Sequence, residues 1–160
     1  MRFAFVVLSV LAAVAAFAVA PASDAPSDPR TATVVRVVDG DTVVLSGGIG
    51  KSRLIGVDTP EVYGGVECYG REASAFAKRL LTGARVRVRR QAEPTDRYGR
   101  ALVDLWLPDG RHVNALLVER GYATPLTIRP NVRYARRLAR LARAARTARR
   151  GLWGAGRCPD

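Results

Sequence analysis

The 160-residue chain is poor in the side chains that most often build metal and nucleophile centres. Its one histidine, His112, follows a turn in DGRHVN, and nothing beside it in the sequence offers the carboxylate and nucleophile of a catalytic triad. His112 is therefore expected to be ordinary surface or partly buried structure. Cysteine is confined to Cys68 and Cys158, and two thiols with no histidine to join them make a poor zinc site. In an oxidising compartment such a pair is more often a disulfide than two free thiols, here closing a loop of about ninety residues worth ~4 kcal/mol by chain-entropy reasoning. No internal repeat is present, and the length leaves no room for a second domain. Acidic residues are in deficit, 14 against 26 basic ones, for a formal charge of +12. That surplus points to a polyanionic partner, nucleic acid or an anionic membrane surface, and says nothing of catalysis.

Long apolar runs are missing except at the start. Arg2 precedes an almost unbroken apolar stretch from Phe3 to Ala20, followed by PASDAPSDPR. A basic start, an apolar run and small residues near Ala20 to Ala22 predict a signal peptide over 1–22. The alternative is an uncleaved anchor, since eighteen apolar residues nearly span a bilayer. Either reading puts the domain outside the cytoplasm, secreted or held at the membrane by its N-terminal segment. A disordered linker is expected over 23–30, a single domain over 31–157 and a short tail over 158–160.

Within the domain, TATVVRVVDGDTVVL has two β-branched runs split by an Asp39-Gly40 turn signal, and SGGIG leads into a third strand, KSRLIGVD. Thr59–Gly70 reads as a surface loop. Ala73, Phe76, Ala77 and Leu80 then recur at helical spacing. ARVRVRR and RALVDLWL are strands four and five, with QAEPTDRYG as the turn between them and Trp106 expected in the core. Val113–Arg120 is a short helix. The last predicted helix lies in NVRYARRLARLARAARTARR, with Tyr134, Leu138, Leu141 or Ala142, and Ala145 on its apolar side. From Arg133 to Arg150 this segment carries eight arginines and no acid, a composition expected to attract polyanions. Three strands, a helix, two strands and two helices predict an α+β fold: a five-stranded, OB-fold-like barrel with three helices.

The carboxylates carry the chemistry. Asp41 and Asp58 end neighbouring strands, and two carboxylates brought close repel unless a cation neutralises them. A hard, oxygen-liking ion such as Ca²⁺ suits them, completed by backbone carbonyls and water. Arg53 and Arg100 supply what a phosphodiester needs, since guanidiniums pair with its nonbridging oxygens through parallel hydrogen bonds. Glu61 is free to polarise or deprotonate an attacking water.

The words VVDGDTV, RLIGVDTPE, YGREASAF and DRYGRAL, in that order, resemble the thermonuclease (staphylococcal-nuclease-like) family from about Val34 to Trp153. The resemblance implies that Asp41, Asp58 and the Thr59 backbone oxygen hold calcium, with Asp39 and Thr42 as supporting groups beside the ion. It implies that Arg53, Glu61 and Arg100 are catalytic, Glu61 as general base, and that Cys68 and Cys158 match the cysteines of exported members. The implied activity is calcium-dependent endonucleolytic hydrolysis of DNA and RNA at the 5′ P–O bond, leaving 3′-phosphates. Arg97 stands at the family's common lysine and is expected, with Arg129, to touch substrate phosphate. Two departures stand out. The loop after Glu61 is short and lacks the family's lysines, and TPLTIRPN has Leu126 and Ile128 in place of two nucleotide-packing tyrosines. Stacking is worth ~1–3 kcal/mol per base, so weaker nucleotide binding is expected from that wall. The expected partners are single-stranded or locally opened DNA and RNA, acted on by a monomer without an obligate protein partner. A non-catalytic nucleic-acid-binding module on the same barrel is the alternative, disfavoured because binding alone needs no carboxylates that repel phosphate.

Overall fold

The computed structural model describes residues 30–154 and Cys158. The leader at 1–22, most of the linker and the last two residues of the tail lie outside the described residues. In chain order the elements are β1 (Arg30–Val37), β2 (Thr42–Leu45), β3 (Gly50–Leu54), β4 (Val57–Asp58), α1 (Gly70–Leu81), β5 (Arg85–Thr95), β6 (Ala101–Trp106), α2 (Val113–Glu119), β7 (Thr124–Pro125) and α3 (Ala135–Thr147). A 3-10 turn, Gly151–Trp153, follows.

Five strands close a barrel in the order β1-β2-β3-β6-β5. Alternation builds its interior: Val43 and Leu45, Val86 and Val88, Val103 and Leu105 all point inward and are buried. In β1 the inward residues Val34 and Val37 are three apart, because the register with β2 shifts between Val34 and Arg36. The barrel closes through the one parallel pairing, β3 with β6, which sets Arg53 beside Leu102. The fold class and the five strands of the barrel agree with the sequence reading.

Two elements were not legible as read. KSRLIGVD is not one strand. Gly56, at φ 78°, ends β3 and turns the chain, and β4 pairs instead with β7 in a separate two-stranded sheet. This break lifts Asp58 off the barrel wall. QAEPT is not a turn either, since β5 continues through it past a register shift between Arg90 and Thr95.

The helices plug the barrel and cover one side. Ala73, Ala77 and Leu81 of α1 are buried, as are all residues of α2 from Val113 to Val118. Asn114 ties α2 to the strands: its Nδ2 donates to the carbonyls of Ile55 (2.9 Å) and Val103 (3.2 Å), and its Oδ1 accepts from Leu105 N–H at 3.1 Å. In α3 Leu138 and Ala145 are buried, with Tyr134, Leu141 and Ala142 packed beside them as expected. The arginines from Arg133 to Arg150 are exposed.

Cys68 and Cys158 form the expected disulfide across a separation of 90 residues. Trp153 lies under the Arg146 guanidinium, 4.2 Å from it. The reading of His112 needs correcting. It is buried, and its Nε2 lies 2.9 Å from Oδ1 of Asp104, an equally buried carboxylate on β6. The carboxylate thought missing is supplied by the neighbouring strand, but no nucleophile accompanies it, so the pair is structural. Trp106 is half-buried on the outside of the barrel rather than in its core, stacked on His112 at 4.6 Å.

Candidate functional site

The β1–β2 turn, the end of β3 and the end of β4 meet at one point on the barrel's outer surface. Asp39 shapes the turn: its Oδ1 accepts the N–H groups of Asp41 (3.1 Å) and Thr42 (2.7 Å). This points Asp41 inward. The Asp41 carboxylate accepts from Thr42 Oγ1 at 3.2 Å, from Thr59 N–H at 2.9 Å and from Thr59 Oγ1 at 3.0 Å. The close approach of Thr59 is possible because position 40 has no Cβ; one built there would lie 2.6 Å from Thr59 Oγ1.

Arg53 joins the two acids. Its Nη1 pairs with Asp41 Oδ2 and its Nη2 donates to Asp58 Oδ1 at 2.8 Å. Antiparallel pairing of Thr42 with Arg53 and parallel pairing of Arg53 with Leu102 fix this side chain on the outer face. Burial pushes the Asp41 carboxyl above its ordinary value of 3.8, against the pull of Arg53 and the Thr59 donors.

Arg100 immediately precedes β6, two residues from Leu102, and the strand's period of two places it on the face that carries Arg53. Its Nε donates to Asp96 Oδ2 at 2.7 Å, and its N–H to Asp96 Oδ1 at 2.9 Å. Slight burial raises Asp96, but hydrogen bonds from Arg100 and Tyr98 outweigh it and hold this carboxyl below 3.8. Sequence reading missed Asp96, treating DRYG as a turn; the acid three residues before Gly99 was the available signal. Arg97 donates to Tyr98 Oη at 2.6 Å, and both Arg97 and Arg100 lie over the exposed Tyr98 ring.

Glu61 is exposed on the following loop. The loop is pinned at its base, where Glu61 N–H donates to Glu67 Oε2 (3.0 Å) and Glu67 N–H to the Glu61 carbonyl (2.9 Å). Tyr63 reaches back from it, its hydroxyl donating to the Val38 carbonyl at 3.1 Å beside the Asp39 turn. Arg129 is exposed in the loop after β7, and β7 pairs Thr124 with Asp58, so the Leu126–Pro130 wall adjoins the site. The structure thus gathers Asp39, Asp41, Thr42, Arg53, Asp58 and Thr59 at one point, with Arg100, Glu61, Arg97 and Arg129 on flanking segments.

Among the described residues no cluster of three or more acids, histidines or cysteines could hold a metal ion. The donor set is nevertheless all oxygen and includes two carboxylates held together only by a guanidinium, the chemistry of a hard cation completed by carbonyl and water.

This acid–guanidinium centre stands on the outer wall of a small closed five-stranded barrel. The sequence profile described as Staphylococcal nuclease homologue matches residues 51–155, and the chain belongs to this family. It is 37% identical over 133 residues to a thermonuclease of Staphylococcus hyicus, covering 79% of this chain and 78% of that one. A thermonuclease of Staphylococcus intermedius is 43% identical over 106 residues, 63% of this chain and 62% of its own. Endonuclease YhcR of Bacillus subtilis (strain 168) is 34% identical over 122 residues, 69% of this chain but only 10% of that protein.

Proposed function

We propose that the chain is a nuclease, and more narrowly a calcium-dependent endonuclease that hydrolyses DNA and RNA at the 5′ P–O bond and leaves 3′-phosphates. The observation that carries this is the Arg53 guanidinium bridging Asp41 and Asp58, two carboxylates that the fold brings to one point. Asp41, Asp58 and the Thr59 carbonyl would hold the calcium, which when bound supplies the positive charge that a phosphate needs beside two acids.

Arg53 and Arg100 have the chemistry to grip the nonbridging oxygens. Their donors are rigid forks, and charge developing on those oxygens in the transition state strengthens each bond. Asp96 orients Arg100 through Nε and leaves its terminal nitrogens for substrate. Glu61 accepts the proton of the attacking water, its exposed carboxylate standing on a loop fixed at both ends by Glu67. Thr42 and Thr59 fix the rotamer of Asp41, and Asp39 fixes the turn that presents it. Arg97 and Arg129 touch flanking phosphates, and the arginines of α3 draw the polyanion in. With Leu126 and Ile128 on the adjoining wall, base stacking contributes little to binding.

The same reading makes the protein an exported monomer. The apolar leader and the disulfide support export.

Cleavage of labelled single-stranded DNA and RNA in calcium or in excess chelator tests the proposal, with Asp41→Asn and Arg100→Ala in parallel. Cleavage should need calcium and fall at least ~100-fold in each variant. Chelator-resistant cleavage, or full activity in both variants, would place the chemistry elsewhere.

A further inference from the structure

The outer face of β5 carries arginines that the cleavage centre does not use. Val86 and Val88 point into the barrel, so Arg85, Arg87 and Arg89 line up on its outside. None of the three is within ion-pair distance of a carboxylate among the described residues. Two are held in place nonetheless. The guanidinium carbons of Arg87 and Arg89 lie 5.3 and 5.6 Å from the Trp106 ring centroid. Trp106 is itself stacked on His112, which is fixed by Asp104.

That arrangement costs more than a solvated strand face requires. Free arginines on a strand sample many rotamers, whereas an aromatic platform orders them before any ligand arrives. A groove of about 210 Å³ runs alongside, bounded by Arg85, Arg87, Thr31, Leu107 and Pro108. None of the large exposed apolar side chains lies in it, which argues against insertion into a lipid surface.

We propose that the β5 arginines, set by Trp106, form a second contact for the sugar-phosphate backbone of a long single strand, separate from the cleavage centre. Alternate residues of a strand are ~6.7 Å apart, close to the step from one phosphate to the next along an extended strand. Arg87 pairs with Trp106 at the far end of β6, while Arg100 stands just before its first residue. Four to six residues of strand separate Arg89 and Arg87 from Arg100 by ~13 to ~20 Å, beyond the one-phosphate step of a dinucleotide but within reach of a longer substrate. The contact holds the polymer near the centre between cuts. It rests on the nuclease reading only for the identity of the polyanion.

The test compares the intact protein with Arg87→Gln/Arg89→Gln. Binding of a ~30-nucleotide single strand is measured in chelator across a salt series, and cleavage of that strand and of a dinucleotide in calcium. Loss of two contacts should lower the slope of log affinity against log salt by ~1.4 and reduce long-strand kcat/KM, with dinucleotide cleavage unchanged. Arg87→Lys/Arg89→Lys should restore the slope. An unchanged slope overturns the proposal, as does an equal loss on both substrates, which marks a structural defect. Loss of binding to phosphatidylglycerol vesicles with strand binding intact would assign the surface to membranes instead. Should the intact protein cleave neither substrate while the slope still falls in the variant, the surface stands and the cleavage reading falls.

Discussion

Gly40→Ala puts the site's packing under direct strain. A Cβ at position 40 would lie 2.6 Å from Thr59 Oγ1 and 2.7 Å from both its Cβ and Cγ2. Rotating the Thr59 side chain relieves two of these contacts but not the third, because Cβ moves only with the backbone. Thr59 must therefore shift, and with it the two hydrogen bonds that fix Asp41. Overpacking of this kind costs ~1–3 kcal/mol. Misplacement of a catalytic group by a fraction of an ångström to one ångström costs ~100-fold in rate. Urea unfolding of the disulfide-intact protein reads the first, and single-turnover cleavage the second. Thr59→Gly removes all three offending atoms, so Gly40→Ala/Thr59→Gly should show a favourable coupling of at least ~1 kcal/mol in stability without recovering activity. A Gly40→Ala protein within ~0.5 kcal/mol of the parent and equally active would refute the packing argument.

Three further outcomes follow from the same structure. Burial raises the Asp41 pKa, so the folded chain binds that proton more tightly than the unfolded one. Metal-free stability attributable to Asp41 therefore falls as pH rises from 3.8 through the raised value, and Asp41→Asn in chelator should be the more stable protein at neutral pH. Comparing their urea midpoints across pH checks the sign and cancels Asp96, whose depressed pKa acts oppositely. Replacing both Cys68 and Cys158 with serine should cost ~2–5 kcal/mol, measured by urea unfolding, because the bond closes a long loop. Leu138→Ala should cost ~2–5 kcal/mol, since Leu138 is 1% exposed and its Cδ1 fills the space over Gly56 at the β3–β4 break.

The barrel was legible because its strands alternate: Val86 and Val88, set between arginines, need no partner to announce a face. The acid cluster was legible because Asp39, Asp41 and Asp58 stand at turn and strand ends. Short-range signals failed where an element depends on a distant partner. β4 and β7 are two residues each, with no period to read, and exist only because Val57 meets Pro125 and Asp58 meets Thr124. Asp104 has no partner near it in sequence: the start of α2 brings His112 onto it and Gln91 caps its other oxygen. Trp106 was misjudged for the same reason: its even spacing from Leu102 gives the face, but the covering layer is His112, Tyr134 and two guanidiniums rather than the core. The link from Asp96 to Arg100 was hidden because an aspartate before a glycine turn needs no second role.

The central claim is that one guanidinium fork, Arg53, serves the transition state rather than mere attraction of the polyanion. Single-turnover cleavage by Arg53→Lys, set against strand affinity measured in chelator on the same sample, tests it most directly. Lysine keeps the charge and loses the fork, so the rate should fall at least ~100-fold while affinity stays within about threefold. A lysine variant that cuts at the parental rate would contradict the account.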